Sequence, residues 1–124
     1  MPVPEPNDID HRAVTFVNRF TLRGSPEEFE AAFAATSEFM RRQSGFRWHS
    51  LLAPVDGVDG PQYVNIAVWQ DEVSFRAAVA QPEFPAHAAA LRTLSTSEPT
   101  LYRIRQVRSA SVPERPACEE EPKR

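Results

Sequence analysis

Three polar side chains stand inside sequence that predicts buried β-strands. Asn18 lies in the run VTFVNRFTL, and Asn65 and Trp69 lie in the run YVNIAVWQ; β-branched and aromatic residues dominate both runs. Successive strand residues point to opposite faces, so Asn65 and Trp69 share one face. A buried amide or indole N–H without a partner costs about 1–3 kcal/mol. We therefore interpret the three side chains as hydrogen-bond donors lining a pocket, where they can stabilise an oxygen atom that gains negative charge.

Two structural alternatives account for the same residues. Asn18 can bond to backbone at a β-bulge, because the row that it shares with Phe16 and Phe20 is otherwise apolar. The row of Asn65 and Trp69 can instead face water, with the indole covering the end of the strand. The sequence leaves these alternatives open, and none of the three side chains is an obvious base.

The elements that position these residues follow from local signals. Ser25 as N-cap, Pro26 at the first helical position and Glu28 predict a helix start, and Gly45 predicts its stop. Asp71 predicts the cap of a shorter helix. The predicted strands span 14–22, 46–53, 63–70 and 100–107, and the later helices span 72–80 and a segment that ends near residue 94. The buried stripe predicted for the first helix is Phe29, Ala32, Phe33, Thr36 and Met40.

The order strand, helix, strand, strand, helix pair, strand is a βαββαβ pattern, typical of a ferredoxin-like α+β sandwich. Helices cover one face of such a sheet. The opposite face is predicted to carry Val17, Leu51, Val64, Ile66 and Val68 and is too apolar to remain in water. We therefore expect a homodimer in which two sheets pack on these faces, with the pocket between each sheet and its own helices.

The chain is expected to form one folded domain over residues 12–107. Residues 1–11 are predicted to be a flexible N-terminal arm and residues 108–124 a disordered C-terminal tail, since both are rich in proline and charge. The single cysteine, Cys118, lies in the predicted tail, so an internal disulfide is excluded.

Composition and motifs exclude several classes of function. The formal net charge is −3 and residues 12–107 carry as many basic as acidic side chains, which argues against a nucleic-acid partner. No apolar run is long enough for a membrane span and no signal peptide is recognisable, so a cytoplasmic location is expected. A metal-ligand cluster, a glycine-rich phosphate loop and a Ser/His/Asp set are also missing from the sequence.

The two internal histidines are weaker candidates. His49 falls on the row of Arg47 and Leu51 and is predicted to be solvated or at an interface. His87 or its neighbour Ala88 turns inward on the last helix, so His87 is the better candidate for the pocket. The alternative for His87 is a partly exposed position on the helix.

Four segments together resemble the antibiotic biosynthesis monooxygenase family: FVNRFTL-RGSPEEFE, QSGF, YVNIAVWQDEVSFRAAVAQPEFPAH and TSEPTLY. The resemblance covers residues 13–107 and is greatest to the anthrone oxygenases of anthracycline pathways. It implies a dimeric α+β barrel that oxidises an aromatic polyketide anthrone to an anthraquinone with O₂ and no cofactor. It also implies catalytic roles for Asn18, Asn65 and Trp69. The expected substrate-binding residues are Phe16, Phe33, Met40, Trp48, Phe75 and His87.

The chain departs from two other branches of the family. A haem-degrading branch uses a helix Trp and a ligand His; His87 lies near the ligand position, but Ala78 stands at that of the Trp. Haem degradation is therefore disfavoured. Phe75 replaces a helix Tyr of another polyketide branch, so we expect it to shape the pocket rather than to supply a proton. A non-catalytic polyketide-binding protein and a polyketide cyclase remain as alternatives to the oxygenase.

Overall fold

The computed structural model describes residues 10–56 and 62–110. The predicted arm, residues 1–11, and the predicted tail, residues 108–124, lie almost entirely outside these residues. Seven elements are observed, in the predicted order: β1 (Val14–Leu22), α1 (Pro26–Arg41), β2 (Phe46–Leu52), β3 (Gln62–Trp69), α2 (Glu72–Val79), α3 (Phe84–Leu94) and β4 (Ser95–Arg103). The strands form one antiparallel sheet in the order β2-β3-β1-β4. The predicted ferredoxin-like α+β fold is confirmed.

The helix starts follow the predicted caps. The Ser25 hydroxyl accepts a hydrogen bond from the Glu28 N–H at 3.0 Å, and Pro26 opens α1. The Asp71 carboxylate accepts from the Ser74 N–H at 2.8 Å and opens α2. Each cap satisfies a backbone donor that has no partner inside its helix.

The core between the sheet and the helices consists of two apolar clusters. One surrounds Trp69 and Val14 at one end of β1 and β3, and the other surrounds Phe20 and Phe29 at the opposite end. Tyr63 belongs to the second cluster. The two clusters hold the helices on one face of the sheet and leave the middle of β1 and β3 between them.

The last strand differs from its predicted bounds. It was expected at residues 100–107, but β4 pairs with the whole of β1, from Ser95 opposite Leu22 to Arg103 opposite Val14. Pro99 lies in the middle of β4. A proline is tolerated here because β4 lies at the edge of the sheet, where one row of backbone N–H groups needs no partner.

The faces of β2 also differ from the prediction. The register shifts between Phe46, which lies opposite Trp69, and Trp48, which lies opposite Val68. This β-bulge puts Phe46 on the helix side and Trp48 on the other side, although strict alternation predicts that they share a face. After it, the helix side continues with His49, and with Leu51, which packs against the Phe20 cluster. The prediction of Leu51 on the uncovered face was therefore wrong.

The face of the sheet opposite the helices keeps the remaining predicted apolar residues. Val17 lies opposite Ile66 on neighbouring strands, and Val64 and Val68 flank Ile66 on the same side of β3. All four side chains are half-buried. The helices pack on the other face, so this apolar row is left without a covering layer in the described protomer.

Gly45 joins α1 to β2 in a conformation that a larger residue resists. Its φ is +88°, and an added Cβ would collide with the Ser74 side chain at the start of α2. We expect Gly45→Ala to lower the free energy of unfolding by about 2 kcal/mol or more, since backbone strain and the collision add. Urea unfolding measures the change.

Gly24→Ala is the matched control. Its Cβ would meet Leu94 at 3.4 Å, an ordinary contact, and its φ lies outside the left-handed region. Its free energy of unfolding should stay close to that of the wild type. Equal losses in the two variants would contradict the special requirement at Gly45.

Tyr63 anchors β3 to α1. Its hydroxyl donates to the Glu30 carboxylate at 2.5 Å, and this hydrogen bond, with burial, raises the pKa of Tyr63 to about 12. We expect Tyr63→Phe to lower the free energy of unfolding by about 1 kcal/mol near pH 8. Because the pKa of Tyr63 is higher in the folded protein, the hydrogen bond contributes fully to stability below the unfolded-state pKa of about 10. This contribution is lost as pH rises through about 12.

The measurement is urea unfolding of wild type and Tyr63→Phe at several pH values. The difference between the two proteins should be constant from pH 7 to 9 and shrink above pH 10. A difference that grows with pH in the alkaline range would contradict the assigned role of the Tyr63 hydroxyl.

Candidate active site

A cavity of about 290 Å³ lies between the sheet and the helices, in the gap between the two apolar clusters. All seven elements contribute side chains to its wall. The wall is mostly aromatic and aliphatic. The polar side chains that line it are Asn18, Thr36, Ser37, His49, Asn65, Trp69, Arg92, Ser95 and Ser97.

Most of the residues singled out from the sequence meet at this cavity. The three residues predicted to be catalytic, Asn18, Asn65 and Trp69, all line it. Four of the six residues predicted to bind substrate also line it: Phe16, Phe33, Met40 and Phe75. The structure thus brings seven of the nine to one place.

The two asparagines face each other across paired strands. Asn18 on β1 lies directly opposite Asn65 on β3, so their Cα atoms are about 5 Å apart and their side chains leave the sheet on the same side. The β1 pairing runs without a break on both sides of Asn18. The alternative in which Asn18 occupies a β-bulge is therefore wrong.

Two polar atoms at the cavity have no hydrogen-bond partner among the residues that the structure describes. The Asn18 side-chain oxygen and the Trp69 indole nitrogen are both buried and make no hydrogen bond with the described residues. Trp69 itself is only 1% exposed, so the alternative of a water-facing row is also wrong. Orphaned buried groups of this kind cost about 1–3 kcal/mol each. Beside a cavity, they mark the positions where a bound molecule can supply the missing partner.

Two of the hydroxyls that line the cavity, those of Thr36 and Ser95, differ in this respect. The Thr36 hydroxyl donates to the Ala32 carbonyl at 3.1 Å, and the Ser95 hydroxyl donates to the Leu91 carbonyl at 2.8 Å. Their donor protons are therefore already used within the protein. Asn18 and Trp69 are therefore distinguished by buried polar atoms that have no partner among the described residues.

Aromatic contacts fix the Trp69 ring. Phe46 meets it edge-on with ring centroids 5.1 Å apart, and Phe75 does so at 5.8 Å. Phe16 packs against Phe75 at 4.9 Å. Edge contacts of this kind favour one ring orientation, so the direction of the indole N–H is set by apolar packing.

Sequence reasoning missed His49. It was predicted to be solvated or at an interface, yet it lines the cavity and its Nδ1 lies 3.2 Å from the Asn65 side-chain oxygen. The β2 bulge reverses its direction. One signal was available: Phe46 and Leu51 are both large and apolar but five residues apart, so they share a face only if an extra residue intervenes.

Arg92 on α3 also lines the cavity and was not predicted.

Within the described residues, no group of three or more His, Cys, Asp and Glu side chains is arranged to hold a metal ion. None of the helices described is both long and apolar enough to cross a membrane.

Comparison with known proteins identifies the family. The profile of the antibiotic biosynthesis monooxygenases matches residues 13–90. The chain is 53% identical over 106 residues to deoxynogalonate monooxygenase from Streptomyces nogalater, a match that covers 86% of this chain and 88% of that protein. The chain belongs to the antibiotic biosynthesis monooxygenase family. The family resemblance seen in the sequence is confirmed, and the protein is an oxidoreductase.

Solved structures agree with this assignment. The cofactor-independent oxygenase SnoaB from Streptomyces nogalater is 53% identical, with a TM-score of 0.73 over 83% of this chain and 99% of that chain. A dimeric ferredoxin-like protein of unknown function from Thermobifida fusca is only 15% identical, with a TM-score of 0.64 over 82% of this chain and 99% of that chain. The second match supports the fold alone.

Two residues that were expected to bind substrate do not line the cavity of this monooxygenase. Trp48 lies on the other side of the sheet from His49, because the β2 bulge precedes it, and borders a groove between α1 and the sheet edge. His87 stacks on Phe39 at 5.1 Å, and its neighbour Ala88 takes the inward position. The sequence left open whether His87 or Ala88 faces inward. The rotation of α3 about its axis places Ala88 at the cavity.

Proposed function

We propose that this monooxygenase oxidises the anthrone of an aromatic polyketide to the corresponding anthraquinone, with O₂ as co-substrate and without a cofactor, in antibiotic biosynthesis. The observation that carries the proposal is the buried Trp69 N–H, which has no partner among the described residues, beside the facing Asn18 and Asn65 amides in a mostly apolar cavity. The 53% sequence identity to a deoxynogalonate monooxygenase supports a substrate of the same class.

In this proposal the substrate itself supplies the electrons. An anthrone loses a proton from its methylene carbon and becomes an electron-rich enolate. The enolate passes one electron to O₂, and the resulting radical and superoxide combine into a peroxide. Protonation and loss of water then leave a carbonyl at the former methylene carbon. The balance is one CH₂ group and one O₂ consumed, and one C=O group and one water formed.

The protein contributes placement and electrostatics. Amide N–H groups of Asn18 and Asn65 and the indole N–H of Trp69 donate to the oxygen atom on which the enolate charge develops. Their effect is enlarged because aromatic side chains exclude water from most of the wall. The aromatic contacts of Trp69 hold its N–H in place before the reaction, so the donor needs no reorientation when the charge appears.

The proton acceptor in this proposal is water or a neighbouring oxygen of the substrate. His87, the histidine that the sequence favoured for the pocket, also has a side chain that can accept a proton. His87 lies against Phe39 outside the cavity, so we assign it no part in proton transfer.

The test is O₂ consumption with dithranol or emodin anthrone, followed with an oxygen electrode and by the anthraquinone absorbance. Asn18→Ala, Asn65→Ala and Trp69→Phe should each lower turnover per folded molecule by about tenfold, and by up to about 10²–10³ where water does not replace the lost donor. Trp69→Phe keeps most of the ring, so it separates donation from packing.

Trp48→Phe is the matched control, because it makes the same change on the opposite side of the sheet and should retain wild-type turnover. Binding of the anthrone without O₂ consumption would contradict oxygenation and favour a binding protein. Conversion to a cyclised product without O₂ would favour a cyclase.

We further propose that the protein works as a homodimer. The row formed by Val17, Val64, Ile66 and Val68 lies on the sheet face that the helices leave open. Burial of apolar surface in the centre of a sheet stabilises the assembled protein by about 25 cal/mol for each Å² removed from water. A second copy presents the same row and can cover it face to face.

Sedimentation of the wild type at micromolar concentration should give about twice the 14.0 kDa of one chain. Ile66→Asp puts a charge in the middle of the proposed interface and should yield monomers or unfolded protein. Val73→Asp is the control, because Val73 is 76% exposed on α2 and its change should leave the dimer intact. A folded wild-type monomer at this concentration would contradict the dimer.

A further inference from the structure

His49 makes a hydrogen bond that the proposed chemistry does not yet use. Its Nδ1 lies 3.2 Å from the side-chain oxygen of Asn65, and its ring lies 5.9 Å from that of Phe33 and 6.1 Å from that of Phe46. The ring is half-buried and lines the cavity. His49 is thus held by packing on α1 and β2 while it contacts one of the three proposed donors.

The direction of this hydrogen bond follows from its partners. A carboxamide oxygen can only accept, so Nδ1 of His49 must carry the proton and donate it. The oxygen and nitrogen of a carboxamide lie on opposite arms of one plane. Fixing the oxygen of Asn65 against His49 therefore turns the N–H₂ arm away from His49.

We propose that His49 is a positioning residue: its Nδ1–H holds the Asn65 carboxamide by the oxygen and so presents the Asn65 N–H₂ group to the cavity. The inference rests on the proposed function, in which that N–H₂ group stabilises an enolate oxygen. Without His49, the carboxamide can turn over and place its own oxygen, an acceptor, beside the negative charge. The hydrogen bond thereby selects the orientation of Asn65 that favours the reaction.

Two substitutions separate the hydrogen bond from the packing of the ring. His49→Phe keeps a ring between Phe33 and Phe46 but removes the donor. His49→Asn removes the ring but places an amide N–H near the position of Nδ1. We expect His49→Phe to lower kcat about tenfold with KM changed less than about twofold, because the loss acts on the charged transition state. His49→Asn should recover most of this loss.

A double variant tests whether His49 acts through Asn65. In the Asn65→Ala background there is no carboxamide to orient, so adding His49→Phe should lower kcat by less than about twofold. Equal losses in both backgrounds would overturn the proposal, since His49 would then act on the substrate directly, for example as a base. His11→Phe, which removes an exposed imidazole outside the cavity, should leave kcat unchanged.

A measurement without substrate tests the effect of His49 on Asn65 separately from the oxygenation reaction. The side-chain N–H₂ signals of Asn65, assigned by their loss in Asn65→Ala, can be followed in ¹⁵N–¹H spectra. They should move in His49→Phe and return towards the wild-type position in His49→Asn. Unmoved signals in His49→Phe would overturn the positioning role. Moved and restored signals in an enzyme that consumes no O₂ with any anthrone would uphold that role and reject the oxygenation.

Discussion

The antiparallel register of β1 and β3 is the constraint on which the site depends. It sets Asn18 opposite Asn65 and Val14 opposite Trp69, with every member of these pairs on the helix side. A shift of β3 by one residue would turn Asn65 and Trp69 to the other face and away from Asn18, because strand side chains alternate with a period of two. The apolar clusters at both ends of the strands hold this register. Hydrophobic burial at the strand ends therefore fixes the relative position of Asn18 and Asn65 in the middle.

The β2 bulge is the second constraint. It brings Phe46 and His49 to the same side of the sheet, where Phe46 contacts Trp69 and His49 bonds to Asn65. One irregularity thus supports two of the three proposed donors. Its place next to Gly45, whose backbone carbonyl accepts from the Gln70 N–H at 2.7 Å, ties the start of β2 to the end of β3. Bulges often occur beside active sites for this reason, since they re-aim a side chain without adding an element.

The sequence predicts what local patterns determine. The bounds of β1, the caps at Ser25 and Asp71, and the row of Asn65 and Trp69 all follow from period-two alternation and from capping chemistry. The faces of β2, the start of β4 and the inward residue of α3 do not. Each is set by a neighbour: by the β3 partner, by the length of β1, and by the packing of α3 on α1. For this reason the sequence predicted His87 rather than His49 at the cavity, whereas the structure shows the reverse.

The polar pair also explains why the core is divided. Asn18 and Asn65 lie between the cluster around Trp69 and the cluster around Phe20, at the point where a continuous core would place two aliphatic side chains. The Asn18 oxygen and the Trp69 nitrogen, which have no partner within residues 10–56 and 62–110, oppose folding. The cavity also lacks packing contacts that a filled core would make. A bound molecule that pairs with these atoms and fills the cavity reverses both costs. The arrangement therefore lowers the stability of the empty protein at the place where it favours binding.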